Sequence, residues 1–315
     1  MKRTMLLIAV ILSGLTVMAQ NSVTLKMNPE KNKVYLLKSV SEQTVSQTVN
    51  GNLQNVESEV EYTMSLKMID MTPDLLVAEI RFDTLVTKTN TMGKLAIFSS
   101  TAEGDIKSSE AADIMSYIMN RLSKAALFVK MDFTGKPLEI INSKMVSDLV
   151  LKDTGSITLT GPVSAALKTQ IASTVSDENL KTMIGTFTWC LPARQVSVGE
   201  EWNVTQEMNA GGMNLDIIST YHLDAIDGNF AKITSTSQIK ASDNAAPIHS
   251  GGATVSYGNL KGLGKSNMVI DINAGLVAED NVKTRISGNL DVSAPGFSMQ
   301  IPLDINGESK VRALK

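Results

Sequence analysis

Few residues in this chain could do chemistry, and they are scattered. The 315 residues hold only two histidines, His222 and His249, and one cysteine, Cys190. Zinc hydrolases need paired histidines at helical spacing with a glutamate between them. Neither histidine here has such a companion. His222 stands in Thr220-Tyr221-His222-Leu223, on the strand face opposite Tyr221 and Leu223, and reads as a solvated position. His249 falls in a loop. No Gly-x-Ser-x-Gly elbow marks a serine hydrolase. Cys190 lies in the apolar stretch Phe187–Pro192, with only Arg194 nearby to lower its pKa, so it reads as a buried small hydrophobe.

Three further patterns carry a chemical suggestion and a structural answer. Gly262-Leu263-Gly264-Lys265-Ser266 ends like a phosphate-binding loop, but Asn259 stands where the first glycine belongs. It also leads into a strand, whereas a phosphate cradle opens a helix, so a bend or bulge is expected. Glu200-Glu201-Trp202 places two acids beside an aromatic ring. Adjacent strand residues face opposite ways, so the carboxylates should not converge, and the segment reads as a turn entering a strand with Trp202 buried. Asp132–Gly135 and Asp271–Gly275 repeat one design, an aspartate before a tight turn closed by glycine. Each offers one carboxylate where calcium wants several oxygens, so a structural turn is expected. No metal site and no cofactor follow from the sequence.

The elements that must position these residues come in three blocks. Positions 20–107 are written in period two: Ser58, Val60, Tyr62, Met64, Leu66 and Met68 alternate with Glu57, Glu59, Glu61, Thr63, Ser65 and Lys67. Such alternation belongs to an antiparallel sheet with one wet face. Ala78, Ile80, Phe82, Thr84 and Val86 continue it in a second run. Val34–Val49 reads as an earlier strand, with Asn50-Gly51-Asn52 as the hairpin turn after it. Positions 108–190 change to helical period. A helix from Glu110 carries Ala111, Met115, Ile118, Leu122 and Ala125 on one stripe, and strands 126–133 and 136–141 follow. Short helices are expected near 142–151, from Pro162 to Thr174, and over Asp177–Gly185 with Ser176 as cap. Positions 191–315 return to period two. Asp227-Gly228 marks a hairpin, 241–252 a loop, and strands are expected at 253–260, 266–272, 276–289 and beyond 291.

Composition narrows the class. Lys2 and Arg3, the apolar run Met5–Leu12 and Val17-Met18-Ala19 read as a secretion signal over 1–19, with Gln20 as the mature start. The run is too short to span a bilayer, and no cysteine stands at the cleavage site for a lipid anchor. The expectation is an exported protein, periplasmic or extracellular, without a transmembrane anchor. Removal of the signal leaves 27 basic residues against 32 acidic ones, a mild negative balance that argues against nucleic acid as a partner. Aromatics are only 4%, and 14 methionines remain after position 19. Methionine suits irregular cores and also surfaces that accept varied apolar partners.

Several stretches resemble a known family. Leu191-Pro192, Val196-Ser197-Val198-Gly199-Glu200-Glu201-Trp202, Thr220-Tyr221-His222-Leu223 and Gly262-Leu263-Gly264-Lys265-Ser266, with Asp271 and Gly275, occur in that order. The chain is similar there to uncharacterised exported proteins of Bacteroides-type bacteria, the DUF6263 type, over roughly its C-terminal half. This resemblance implies no activity, substrate or catalytic residue. At the level of architecture alone the pattern is similar to periplasmic lipoprotein carriers, whose curved sheet wraps helices over an apolar cavity.

The expected fold is therefore α+β: a large, curved antiparallel β-sheet from two β-meanders, with central amphipathic helices packed on its concave face. One domain is expected over 20–315. The expected function is non-catalytic binding of a hydrophobic or amphipathic, lipid-like ligand between sheet and helices. Met115, Ile118, Met119, Leu122, Met145 and Met183 would line that cleft, and would equally complete a dry core. The alternative is a cell-envelope or surface interaction protein that binds a protein or glycan partner.

Overall fold

The computed structural model describes residues 21–314 apart from 50, 211, 244 and 251. The expected signal and the Asn50 corner of the first hairpin lie outside the described residues. The first block forms β1 (Ser22–Leu25), β2 (Val34–Val49), β3 (Asn52–Met71), β4 (Leu76–Thr91) and β5 (Lys94–Ser99). The middle block forms α1 (Ala111–Lys124), β6 (Leu127–Met131), β7 (Pro137–Ile140), α2 (Ser143–Leu151), α3 (Gly161–Thr174) and α4 (Asp177–Thr188). The last block forms β8 (Arg194–Ser197), β9 (Glu201–Ala210), β10 (Met213–Asp227), β11 (Phe230–Ala241), β12 (Ile248–Ser250), β13 (Ala253–Ser256), β14 (Lys261–Asp271), β15 (Leu276–Ala294) and β16 (Phe297–Leu314).

Two meanders fuse into one antiparallel sheet. Its order is β7-β6-β4-β3-β2-β16-β15-β14-β11-β10-β9, with β5 on the far half of β4 and β13 beside the end of β15. The sheet is open, with β7 and β9 at its edges. The join is made by the two ends of the chain, because β16 pairs with β2 from Leu303↔Gln47 to Leu314↔Leu36. β1 and β8 form a separate two-stranded sheet.

Alternation decides which face is buried. On β3, Met64, Leu66 and Met68 are buried, as are Ala78, Ile80 and Phe82 across from them on β4. Beyond Phe82 the expected phase fails. A bulge shifts the register between Thr63 and Met64, so that Leu85 faces the core where Thr84 and Val86 were expected to. Helices α1 and α4 cover this apolar face. Phe187 of α4 meets the Tyr62 ring edge-on at 5.5 Å. Ser176 caps α4 by accepting from the Asn179 amide at 3.2 Å. Asn142 at the start of α2 makes no cap bond. Its side chain instead ties Phe128 and Ala126 of the β6 region at 2.9 and 2.8 Å.

The apolar face carries two cores. One joins the helices to Leu37, Met64, Phe82, Leu223 and Ile270; the other gathers Leu215, Ile239, Tyr257, Leu260, Ile286 and Ile305. Small polar residues lie between them, including a Ser41–Ser309 bond at 2.8 Å and a Ser219–Ser237 bond at 2.7 Å. The two related aspartate turns grip one segment: Met27 N–H donates to Phe133 and Asn28 N–H to Ala274, each at 2.9 Å. Both closing glycines are required. At Gly135 and Gly275, φ is +87° and +63°, and a Cβ would lie 1.9 Å from the Thr188 and Lys26 carbonyl oxygens.

Three expectations in the last block need correction. Gly262–Ser266 is neither a bend nor a bulge but part of an unbroken ladder in β14, paired residue for residue with β11 and β15. Its glycines allow close packing, because a Cβ on Gly264 would press on the Ser237 Cβ at 3.2 Å. The strand expected over 253–260 stops at Ser256, and the loop 241–252 includes the short β12.

Candidate functional site

The face of the sheet opposite the helices is charged, and the strand register lines its charges up. Lys88 pairs with Glu59, Glu59 with Glu42, Glu42 with Glu308, Glu308 with Lys283, and Lys283 with Lys265. Directly paired residues point to the same side, so these six form one row across β4, β3, β2, β16, β15 and β14. A second row, two residues along each strand, runs Leu95, Asn90, Glu57, Thr44, Asn306, Arg285 and Leu263. Together the rows line a groove of about 830 Å³.

The groove is neutral overall but divided. Four carboxylates line it (Glu42, Glu57, Glu59, Glu308), as do four cations (Lys88, Lys265, Lys283, Arg285). Lys88 binds Glu59 and Lys283 binds Glu308, both at 2.8 Å, while Arg285 reaches Asp304 at 2.8 Å. The hydrogen bonds with Glu59 and Glu308 raise the pKa values of Lys88 and Lys283, and the Lys283 bond lowers that of Glu308. Glu57 takes one bond, from the Asn90 amide at 3.2 Å. Glu42 stands between two other carboxylates, and Lys265 stands beside Lys283; neither has an ionic partner among the described residues. Leu95 and Leu263, 63% and 66% exposed, close the two ends of the second row.

The six residues expected to line a cleft under the helices lie on α1, α2 and α4. Met115, Ile118 and Leu122 are buried on α1, which packs against β4 and β5. Met119 and Met183 are half-buried against the same core. Met145, on α2, is 58% exposed, because Val146 and Val150 form the buried side of that helix. None of the six lines the charged groove or a smaller cavity of about 370 Å³ beside Glu178, Glu207 and Asp216.

Beneath the charged face lies a carboxylate that the sequence reading missed. Asp280 on β15 points into the apolar side, 8% exposed, and accepts from Ser266 Oγ at 2.7 Å. Burial pushes its pKa up to about 6, the Ser266 bond pulling the other way. Desolvation likewise lifts Cys190 to about 12 and raises Tyr221. Trp202 stacks on Tyr221 at 5.6 Å and donates to the Cys190 carbonyl at 2.9 Å, so the conspicuous aromatic is a packing element. Glu200 accepts from the Ser197 amide at 3.0 Å and pairs with Arg194, which holds its turn and lowers its pKa. The phase set by Val282 and Ile286 was the available signal for Asp280, since it lies two and six residues before them and even spacing in a strand shares a face.

His222 contacts Asp224 at 2.7 Å, and Thr234 donates to the same carboxylate at 3.1 Å. No cluster of three or more His, Cys, Asp or Glu side chains able to hold a metal occurs among the described residues. No helix of the described residues is long and apolar enough to cross a membrane.

Fold and groove together define an open-sheet α+β protein with one helix-covered face and one charged face. The chain belongs to the family of unknown function DUF6263, whose model matches residues 74–277. No match to a curated protein was found. Among solved structures, one of lipovitellin describing lipid–protein interactions aligns over 91% of this chain at 9% identity, with a TM-score of 0.47. The alignment takes in 26% of that chain, so this protein spans about a quarter of its length. The COG4313 outer membrane channel from Pseudomonas putida F1 aligns over 91% of this chain and 97% of its own, at 11% identity and a TM-score of 0.26. Neither likeness transfers a ligand or an activity.

Proposed function

We propose that this is a non-catalytic exported protein that holds an amphipathic ligand in the groove of the charged face. The observation that carries the reading is the groove itself. Its volume of about 830 Å³ matches small-molecule sites, which run from about 300 to 1,000 Å³. Leu95 and Leu263 supply apolar contact at its ends, and lysine and arginine stems add aliphatic surface beneath their charged heads. Two acid–base pairs there, Lys88–Glu59 and Lys283–Glu308, are tied across strands, which favours binding over catalysis.

Decylphosphocholine and decyl maltoside, kept below their micelle concentrations, are suitable probes. Titration calorimetry is expected to give saturable binding that weakens at least tenfold in the double variant Leu95→Ser/Leu263→Ser. Both side chains are exposed, so the melting curve should stay close to wild type. Absence of saturable binding by either probe, or binding indifferent to the double variant, overturns the reading.

A further inference from the structure

Resting on that reading, we infer that the ligand head is zwitterionic, its cationic group held by Glu42 and Glu57 and its anionic group by Lys265. The argument starts from register. Three strand spacings separate Glu42 on β2 from Lys265 on β14, about 14 Å at the usual strand interval. Their long side chains span much of that distance, and a head with adjacent opposite charges fills the remainder.

Pairing within the groove leaves the right charges uncommitted. Lys88 occupies Glu59 and Lys283 occupies Glu308, which silences one member of each sign on each side. What remains on the β2–β3 side is acidic, and what remains on β14 is Lys265. Glu42 directly opposes Glu59 and Glu308, and like charges facing each other across strands destabilise a sheet. A bound cation relieves that repulsion. Lys265, beside Lys283, gains in the same way from an anion. A purely anionic or purely cationic ligand satisfies one wall and is repelled by the other, whereas a zwitterion satisfies both.

The test compares decyl chains with four heads: phosphocholine, trimethylammonium, sulfate and maltoside, all below their micelle concentrations. The phosphocholine probe is expected to bind at least tenfold more tightly than maltoside. Lys265→Ser and Glu42→Gln should each remove most of that advantage, lowering phosphocholine affinity by a larger factor than maltoside affinity. Equal affinity for phosphocholine and maltoside sinks the zwitterion assignment but leaves the amphipath reading standing. Tightest binding of trimethylammonium or sulfate also overturns it, showing that one wall dominates. Failure of all four probes removes the amphipath reading itself.

Discussion

The two faces of the sheet use the same strands and the same alternation, yet they are organised by opposite rules. On the helix side, Met64, Leu66, Ile80 and Phe82 are fully buried. On the other side, Glu59, Glu42, Glu308, Lys283 and Lys265 occupy paired positions and floor a groove. Burial is local, because a side chain either enters the core or does not. Charge organisation is collective, because a row exists only once six strands have found their register. The helix face therefore holds the fold together, and the charged face carries the groove proposed to bind.

The largest expected effect comes from breaking the helix face. Phe82→Ala should lower stability by about 3–5 kcal/mol in denaturant unfolding, through lost burial and a residual cavity. Leu263→Ala, on the exposed side, should stay within about 0.5 kcal/mol of wild type. Similar losses at both positions would dissolve the contrast between the faces.

Asp280 sharpens the same contrast, as a charged group placed on the wrong side. Its folded pKa, about 6, lies above its ordinary value of 3.8, so the folded state binds the proton more tightly. Its contribution is favourable below about pH 4 and is lost as pH rises through about 6. Asp280→Asn, which keeps the shape and removes the charge, should raise stability at pH 7.5 by about 2–3 kcal/mol and leave it nearly unchanged at pH 4. Unfolding curves across pH 4–7.5 check this. A destabilised variant at pH 7.5 would show that the buried charge has a partner that offsets its desolvation.

How much of this was readable in the chain follows from the same distinction. The phase of β3 is plain in Tyr62–Met68, and the outward glutamates at 57, 59 and 61 are plain with it. The bulge opposite Phe82 is not, because it is set by how β4 meets β3, and it turned Val86 outward. The helices under the sheet were legible from their stripes, but their length and placement do not say whether the interface keeps a cavity. The groove was invisible for a stronger reason. Glu42 meets Glu308 only because the two ends of the chain pair, and no local pattern announces that register.

A smaller effect probes the charged row directly. Glu42→Gln removes a carboxylate flanked by two others, so the melting temperature should rise slightly at low salt. The gain should fade as added salt screens exposed charges. A fall in melting temperature at low salt would mean that Glu42 is already compensated.

The most direct test of the groove is to watch where a ligand goes. A spin-labelled decylphosphocholine added to methyl-labelled protein should broaden the Leu95 and Leu263 methyl signals first, with Met115, Ile118 and Met183 unaffected at the same occupancy. Broadening confined to those α1 and α4 methyls would contradict the account and return the ligand to the helix–sheet interface.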